Sequence, residues 1–331
     1  MKNFEYSKYK DQLKTFWRAG NTAVRAVLLA IGLMGSVLLI GCGDSEADAD
    51  GRVTVVATTT MIEDLARVIG GEEVNVIGIM RTGEDPHVYE TTPKHATLIR
   101  KADLVLMNGL HLEATLESIV DQHAGGKVVA LAEQDAITPL TGVMGAEITA
   151  DPHCWMDTRH FGAYAIEVTA ALSEVAPEHE ALFKERLLVY LDELVSLDVW
   201  ITDRFAEVPE QQRVIVTGHD AFAYFGKAYG VEVHGLTGIS TEQEPTPQEI
   251  EKLKRLIRDN SIRAVFPESS LGGSLLQLLD TVAAETGAVV GGELHSDSLG
   301  QPGSDAATYL GMMRHNTNTI VDALKGGGEQ R

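Results

Sequence analysis

Cysteine and basic residues are scarce in this sequence. Two of its 331 residues are cysteines, Cys42 and Cys154, and 48 Asp and Glu residues outnumber 27 Lys and Arg, for a formal net charge of −21. Such an acidic surface repels nucleic acid and raises the local concentration of cations. The chain also contains no glycine-rich phosphate loop, no H-E-x-x-H motif and no tandem short repeat. The sequence therefore gives no sign of a nucleotide site, a nucleic-acid partner or a zinc hydrolase of the H-E-x-x-H type.

An uncharged segment lies near the beginning of the chain. Six basic residues occur within residues 1–25, and residues 26–41 then carry no charge. A basic region followed by an apolar run of this length is typical of a secretory signal and is shorter than a membrane span. The run ends in Leu39-Ile40-Gly41-Cys42, which matches a bacterial lipobox. We therefore expect residues 1–41 to be a lipoprotein signal peptide and Cys42 to be lipidated, with a plain transmembrane anchor as the alternative.

Residues 42–51 are expected to form an acidic tether between the lipid and the folded part of the chain. The stretch from residue 44 reads DSEADADG, which is charged and has no apolar pattern. With Cys42 lipidated, Cys154 is the single remaining thiol, and no disulfide can form within the mature chain.

From Arg52 onward, strand and helix patterns alternate in two series. The first series has predicted strands at 53–57, 74–79, 104–107 and 127–131 and predicted helices at 60–69, 93–101 and 113–122. A T-x-x-E capping box at Thr60 to Glu63 is expected to open the first helix. The second series has predicted strands at 214–216, 231–234, 264–267 and 288–291 and predicted helices at 221–228, 247–259, 275–285 and 307–324. Such alternation predicts an α/β fold with two similar lobes, each a parallel sheet flanked by helices.

A long helical pattern separates the two series. Residues 178–208 show apolar residues near helical spacing without Gly or Pro, which predicts one rigid helix of roughly 45 Å. A coiled-coil or bundle helix is the alternative. The predicted organisation is an N-terminal lobe at 52–176, a linking helix within 177–208 and a C-terminal lobe at 209–331.

The tripeptide Asp-Pro-His occurs twice, at residues 85–87 and 151–153. Proline fixes its own φ and keeps the preceding residue extended, so each histidine should sit on a stiff turn. His219 directly follows a predicted strand of the second series, and Asp297 lies shortly after another. Ligands of open α/β sheets gather at such strand ends. Three imidazoles and one carboxylate suit a divalent transition metal better than calcium or magnesium, although no two of the four stand at the short spacing of a local metal motif.

Six segments give the chain a resemblance to a known family. They are DPHVYETTP at 85–93, ADLVLMNGLHLE at 102–113, DPHCWMD at 151–157, VTGHDAFAYFGKAYG at 216–230, FPESS at 266–270 and GGELHSDSLG at 291–300. In this order they resemble the cluster A-I metal-binding lipoproteins of ABC importers, which carry zinc or manganese. The resemblance implies two α/β lobes joined by a long helix, with one metal held between them by His87, His153, His219 and Asp297. It also implies a receptor, not an enzyme, that passes its metal to an ABC permease.

The resemblance also bears on location and on the remaining polar residues. It implies an exported protein, lipid-anchored to the membrane and facing the periplasm or the exterior, which we expect to be a monomer. Asp85 and Asp151 are candidates to support the ligating imidazoles or, equally, to cap nearby turns. Glu268 is expected to be a buried polar residue beside the site and not a ligand. Cys154 is expected to point away from the metal, and the role of His295 stays open.

Two features of the sequence bear on the identity of the metal. Manganese proteins of the family often carry Glu where this chain has His219, and zinc proteins often carry a long loop rich in His and acids where residues 110–127 are short. Imidazole ligands and the Irving–Williams order favour zinc, so we expect zinc first, manganese next and iron last. A metallohydrolase and a metal-binding surface adhesin on the same fold are the alternatives.

Overall fold

The computed structural model describes residues 51–144 and 147–326. The predicted signal peptide, Cys42 and all but the last residue of the predicted tether lie outside this part of the chain. Within it, no helix combines the length and the apolar character that a membrane span requires.

The first sheet contains four parallel strands: β1 Val53–Ala57, β2 Val74–Gly78, β3 Leu104–Met107 and β4 Lys127–Ala130. Their order is β2-β1-β3-β4, with β1 pairing to both β2 and β3. Three helices alternate with the strands, α1 Thr60–Gly70, α2 Pro93–Lys101 and α3 Ala114–His123. Helices on a parallel sheet bury both of its faces, which explains why all four residues of β3 are buried. We call this sheet with α1 to α3 the first lobe.

The predicted capping box of α1 is wrong by one residue. Thr59, not Thr60, is extended at φ −107° and accepts a hydrogen bond from the Ile62 amide. Glu63 therefore lies one position beyond a capping box and instead accepts from Arg67 at 2.6 Å. Thr58, Thr59 and Thr60 are all possible N-caps by sequence, and the position at which the backbone leaves β1 determines that Thr59 is the cap.

A hairpin and two helices connect the first sheet to the second. The antiparallel hairpin of β5 Thr141–Met144 and β6 Glu147–Ala150 was not expected from the sequence. Helix α4, Thr158–Val175, packs on β3 and α1. Helix α5, Glu180–Ala206, has 27 residues and is about 40 Å long. It is shorter than the predicted helix because Pro177–His179 form a separate 3-10 turn before it.

The second sheet repeats the plan of the first. Its strands are β7 Val214–Thr217, β8 Glu232–Gly235, β9 Ala264–Phe266 and β10 Val289–Val290, all parallel and in the order β10-β9-β7-β8. Its helices are α6 Ala223–Tyr229, α7 Pro247–Asp259, α8 Gly273–Thr286 and α9 Tyr309–Leu324. We call this sheet with α6 to α9 the second lobe. The predicted α/β fold of two similar parallel-sheet lobes is confirmed.

Helix α5 joins the two lobes through packing as well as through the chain. It contacts α1 on one side and α6 and α9 on the other. Its buried residues recur every three or four positions, as for a helix with one apolar face: Phe183, Leu187, Tyr190, Leu194, Leu197, Ile201 and Phe205. A single apolar cluster includes these residues together with core residues of both lobes. The helix therefore restrains how far the lobes can move apart.

Candidate metal centre

The first Asp-Pro-His turn follows β2 in the first lobe. Asp85 is extended, as expected before proline, and its Oδ1 accepts a hydrogen bond from the His87 amide at 2.9 Å. This closes a short 3-10 turn over Pro86–Val88 and buries His87. The other oxygen of Asp85 accepts from the Thr241 hydroxyl of the second lobe at 2.6 Å.

The second Asp-Pro-His turn lies just before α4. Asp151 Oδ1 accepts from the His153 amide at 3.0 Å, as in the first turn, and also from His153 Nδ1 at 2.7 Å. His153 is fully buried and Asp151 is 1% exposed. The second bond orients the imidazole, so that Nε2 is the atom left free to face a ligand.

The second lobe contributes His219 after β7 and Asp297 after β10. The His219 amide donates to Glu268 Oε1 at 3.0 Å, and His219 Nδ1 lies 2.9 Å from Glu268 Oε2. Asp297 Oδ2 accepts from the hydroxyls of Ser270 and Ser296 at 3.1 and 3.0 Å. Both side chains are therefore held by polar partners that leave one donor atom facing the first lobe.

The structure brings His87, His153, His219 and Asp297 together. His153 Nε2 lies close to all three other ligand groups, 3.3 Å from His87 Nε2, 3.3 Å from His219 Nε2 and 3.4 Å from Asp297 Oδ1. His219 Nε2 lies 3.2 Å from Asp297 Oδ2. All four residues are buried, and the part of the chain that the structure describes contains no other cluster of three or more His, Cys, Asp or Glu able to hold a metal.

Four of the six separations within this group are close to those of tetrahedral coordination. Metal–nitrogen bonds to zinc are about 2.0–2.1 Å long, and a tetrahedron of that radius has edges of about 3.3 Å. The four separations given above are 3.2–3.4 Å, and the ligand atoms of all four residues lie within 4.8 Å of one another. With four protein donors around one point, the arrangement suits binding more than catalysis, because a catalytic zinc keeps a position open for water or substrate.

The three imidazoles differ in their affinity for protons. Burial lowers the pKa of His87 to about 3, although the charge of Asp297 opposes this shift. Burial also acts on His153, but hydrogen bonds to Asp151 and Asp297 outweigh it and raise its pKa to about 9. Despite complete burial, the charges of Glu268 and Asp297 hold the pKa of His219 well above its usual value. In turn, His219 and His153 hold the pKa of the buried Asp297 well below its usual range.

The supporting carboxylates divide between two roles. Asp151 and Glu268 stand behind His153 and His219 at Nδ1, and neither is part of the group of four. Asp85 contacts the backbone of His87 instead, which is the capping alternative stated above. Desolvation and the charge of Asp297 raise the pKa of Asp85 to about 6.

Cys154 and His295 lie outside the group of four. Cys154 Sγ is 3.2 Å from the Tyr224 hydroxyl, and desolvation raises the pKa of its thiol to about 12. His295 Nδ1 is 2.8 Å from the Ser269 hydroxyl, and its ring contacts that of His315.

Sequence reasoning missed Ser270 and Ser296, whose hydroxyls orient Asp297. Both stand in the segments FPESS and GGELHSDSLG that carried the resemblance, so a signal was present. A serine before an aspartate is too common to indicate this role without the contact.

Comparison with known proteins agrees with the resemblance seen in the sequence. Residues 55–323 match the model of the ZnuA family, described as zinc-uptake complex component A, periplasmic. The chain is 38% identical over 308 residues to the manganese-binding lipoprotein MntA of Bacillus subtilis, covering 91% of this chain and 100% of the relative. It is 36% identical over 302 residues to the zinc-binding protein TroA of Treponema pallidum, covering 90% and 97%.

Two solved structures share the fold. The periplasmic zinc-binding protein TroA from Treponema pallidum superimposes with a TM-score of 0.77 at 36% identity, covering 83% of this chain and 99% of that one. A manganese-bound periplasmic metal-binding protein from Candidatus Liberibacter asiaticus gives 0.73 at 28% identity, covering 82% and 100%.

Proposed function

Because this chain belongs to the ZnuA family of metal-binding proteins of ABC transporters, which are not enzymes, we propose that it captures one zinc ion and delivers it to an ABC permease. His87, His153, His219 and Asp297 are the proposed ligands. The metal is cargo: it is bound and released, and no bond of a substrate is made or broken.

One observation carries this proposal: four buried donor groups from two lobes converge, with their ligand atoms all within 4.8 Å of one another. Burying such a set without a cation is costly, because an ionised carboxylate in an apolar surrounding needs a positive partner. The raised pKa values of His153 and His219 favour protons there in the metal-free protein, which supply that charge, and a divalent cation supplies it in the loaded one.

The preference for zinc over manganese rests on the donors. Imidazole suits zinc, manganese favours octahedral sets richer in oxygen, and zinc stands above manganese in the Irving–Williams order. The two relatives compared above do not decide the metal, since one is called manganese-binding and the other zinc-binding, and several further relatives are named for manganese.

Competition titration of the full-length protein in detergent tests both the site and the metal. We expect one tightly bound zinc that excess manganese does not displace, and its loss in His219→Ala. His111→Ala is the matched control, since its side chain is 76% exposed and pairs with Glu117. Manganese outcompeting zinc would overturn the zinc preference, and unchanged binding in His219→Ala would overturn the ligand set.

The same preparation tests the proposed organisation of the chain. We propose a signal peptide at 1–41, lipidation of Cys42, a tether at 42–51, lobes at 52–176 and 209–331 and a link at 177–208, with the protein a monomer facing the periplasm or the exterior. An intact mass without a lipid on Cys42 would contradict the anchor.

Because α5 packs on both lobes, we expect metal-free and loaded protein to give nearly identical scattering curves.

A further inference from the structure

The loop that carries His153 is held by both lobes, and Asn108 of the first lobe donates to the Pro152 carbonyl at 3.0 Å. This loop, residues 151–157, leads into α4, which packs on the first lobe. Yet the hydroxyl of Tyr224 in α6 donates to the Asp151 carbonyl at 2.8 Å, and the hydroxyl of Tyr309 in α9 donates to the Trp155 carbonyl at 2.7 Å. The loop is therefore fixed to the second lobe on both sides of His153.

Trp155 connects the two halves of the metal centre directly. Its Nε1 donates to the Ser296 carbonyl at 2.9 Å, and Ser296 immediately precedes Asp297. Its ring lies against the His153 imidazole, with 5.2 Å between the ring centroids. One side chain that is 2% exposed thus contacts a proposed ligand of the first lobe and the backbone next to a proposed ligand of the second.

The hydrogen bond from Trp155 Nε1 to the Ser296 carbonyl is costly to lose because both groups are buried. An indole N–H removed from water needs an acceptor, and a buried carbonyl that loses its donor carries the full penalty of desolvation. The segment from Ser296 to Asp297 is also tied to itself, since the Ser296 hydroxyl donates to Asp297 Oδ2 at 3.0 Å. A shift of the Ser296 backbone therefore moves the carboxylate relative to His153 Nε2, which lies 3.4 Å from Asp297 Oδ1.

We propose that Trp155 is a positioning residue that sets the distance between His153 and Asp297 through its bond to the Ser296 carbonyl. Tyr224 acts on the same loop from the other side of His153. This inference rests on the proposed function, since it concerns the geometry of the same site. In this proposal Trp155 aligns metal ligands from the two lobes without being a ligand itself.

Two replacements separate the N–H from the bulk of the ring. Trp155→Phe removes the donor and part of the ring, whereas incorporation of β-(3-benzothienyl)alanine at Trp155 keeps the shape and removes only the donor. We expect both to retain one metal but to bind it about 10–100-fold more weakly, the usual effect of losing a partner behind a ligand. Faster dissociation should account for the loss. The visible bands of bound Co²⁺ should change in intensity and position, because they report the arrangement of donors.

Trp200→Phe is the matched control, since Trp200 lies on α5, outside the 151–157 loop, with the Arg314 guanidinium 5.0 Å from the centre of its ring. It should reproduce wild-type affinity and the wild-type Co²⁺ spectrum. Absence of tight metal binding by the wild type would defeat the proposed function. If the wild type binds metal tightly and the benzothienylalanine protein has the same affinity and Co²⁺ spectrum, only this inference is contradicted. If Trp155→Phe does not fold, the benzothienylalanine protein alone provides the test.

Discussion

The two Asp-Pro-His turns have the same sequence and the same backbone bond but different surroundings. In both, the aspartate Oδ1 accepts the histidine amide, at 2.9 Å in the first turn and 3.0 Å in the second. In the second turn the same oxygen also accepts from His153 Nδ1, whereas the spare oxygen of Asp85 accepts from Thr241. The tripeptide therefore determines the turn, and the chain packed around it determines what supports the imidazole.

This difference gives the two histidines opposite electrostatic properties. His87 is held neutral, with burial lowering its pKa to about 3. His153, against burial, is made more basic by Asp151 and Asp297, which raise its pKa to about 9. Of the two histidines of this motif, His87 is therefore neutral before a metal binds, whereas His153 must first lose a proton.

The largest expected effect separates the two histidines. His153→Ala should weaken zinc binding by more than about 100-fold, which is the upper end of the effect of losing a residue that only supports a ligand. The expected loss is larger because the substitution removes a ligand and leaves Asp151 buried without its imidazole partner. His87→Ala should cost less, since His87 contacts the group at its edge. Chelator competition measures both, with His111→Ala as the control. A larger loss in His87→Ala would reverse the comparison.

Proton release upon zinc binding should show the same contrast. At pH 7.5 the metal-free protein holds a proton on His153, whose pKa is raised to about 9, and the raised pKa of His219 favours a proton there as well. Because a metal binds only the neutral imidazoles, zinc binding should release at least one proton and at most two from these residues, and apparent affinity should rise with pH up to about 9. Calorimetry in buffers of different ionisation enthalpy counts these protons.

The two alanine variants sharpen the count. His153→Ala should release about one proton fewer than the wild type, whereas His87→Ala should release the same number, because His87 carries no proton at pH 7.5. An equal reduction in both variants would show that the imidazoles are not distinguished as described.

The smallest effect concerns the aspartates. Asp151→Asn removes the charge behind His153 and should weaken zinc binding about 10–100-fold. Asp85→Asn keeps an acceptor for the His87 amide and should cost less than about tenfold, because no imidazole nitrogen depends on it. Parallel titrations of the two variants test this, with thermal unfolding as a check on folding. Equal losses would mean that Asp85 acts on the site through more than the turn.

Much of the fold could be predicted because its elements are marked locally. Pro93, Pro247 and the β-branched strand runs give nearly correct bounds for α2, α7 and the central strands. The hairpin of β5 and β6 could not be found in the same way, since its exposed Val143 and Ile148 show no clear alternation against a core. The shift of the α1 cap to Thr59 likewise depends on where β1 ends in space.

The candidate site shows the same division. His87, His153, His219 and Asp297 stand in distinctive segments and could be named from the sequence. The roles of Ser270, Ser296 and Trp155 could not, because each depends on a side-chain contact that the sequence does not show. The Ser270 contact forms within the second lobe, the Ser296 contact joins neighbouring residues, and the Trp155 contact forms only when the two halves of the site meet.

The burial of Cys154 has a consequence for the oxidation chemistry of the protein. Oxidants and disulfides react with the thiolate, and a pKa raised to about 12 leaves almost none of it at neutral pH. Burial in addition denies access to a partner sulfur. We therefore expect the thiol beside His153 to react slowly with oxidants and not to form a disulfide with a second copy of the protein.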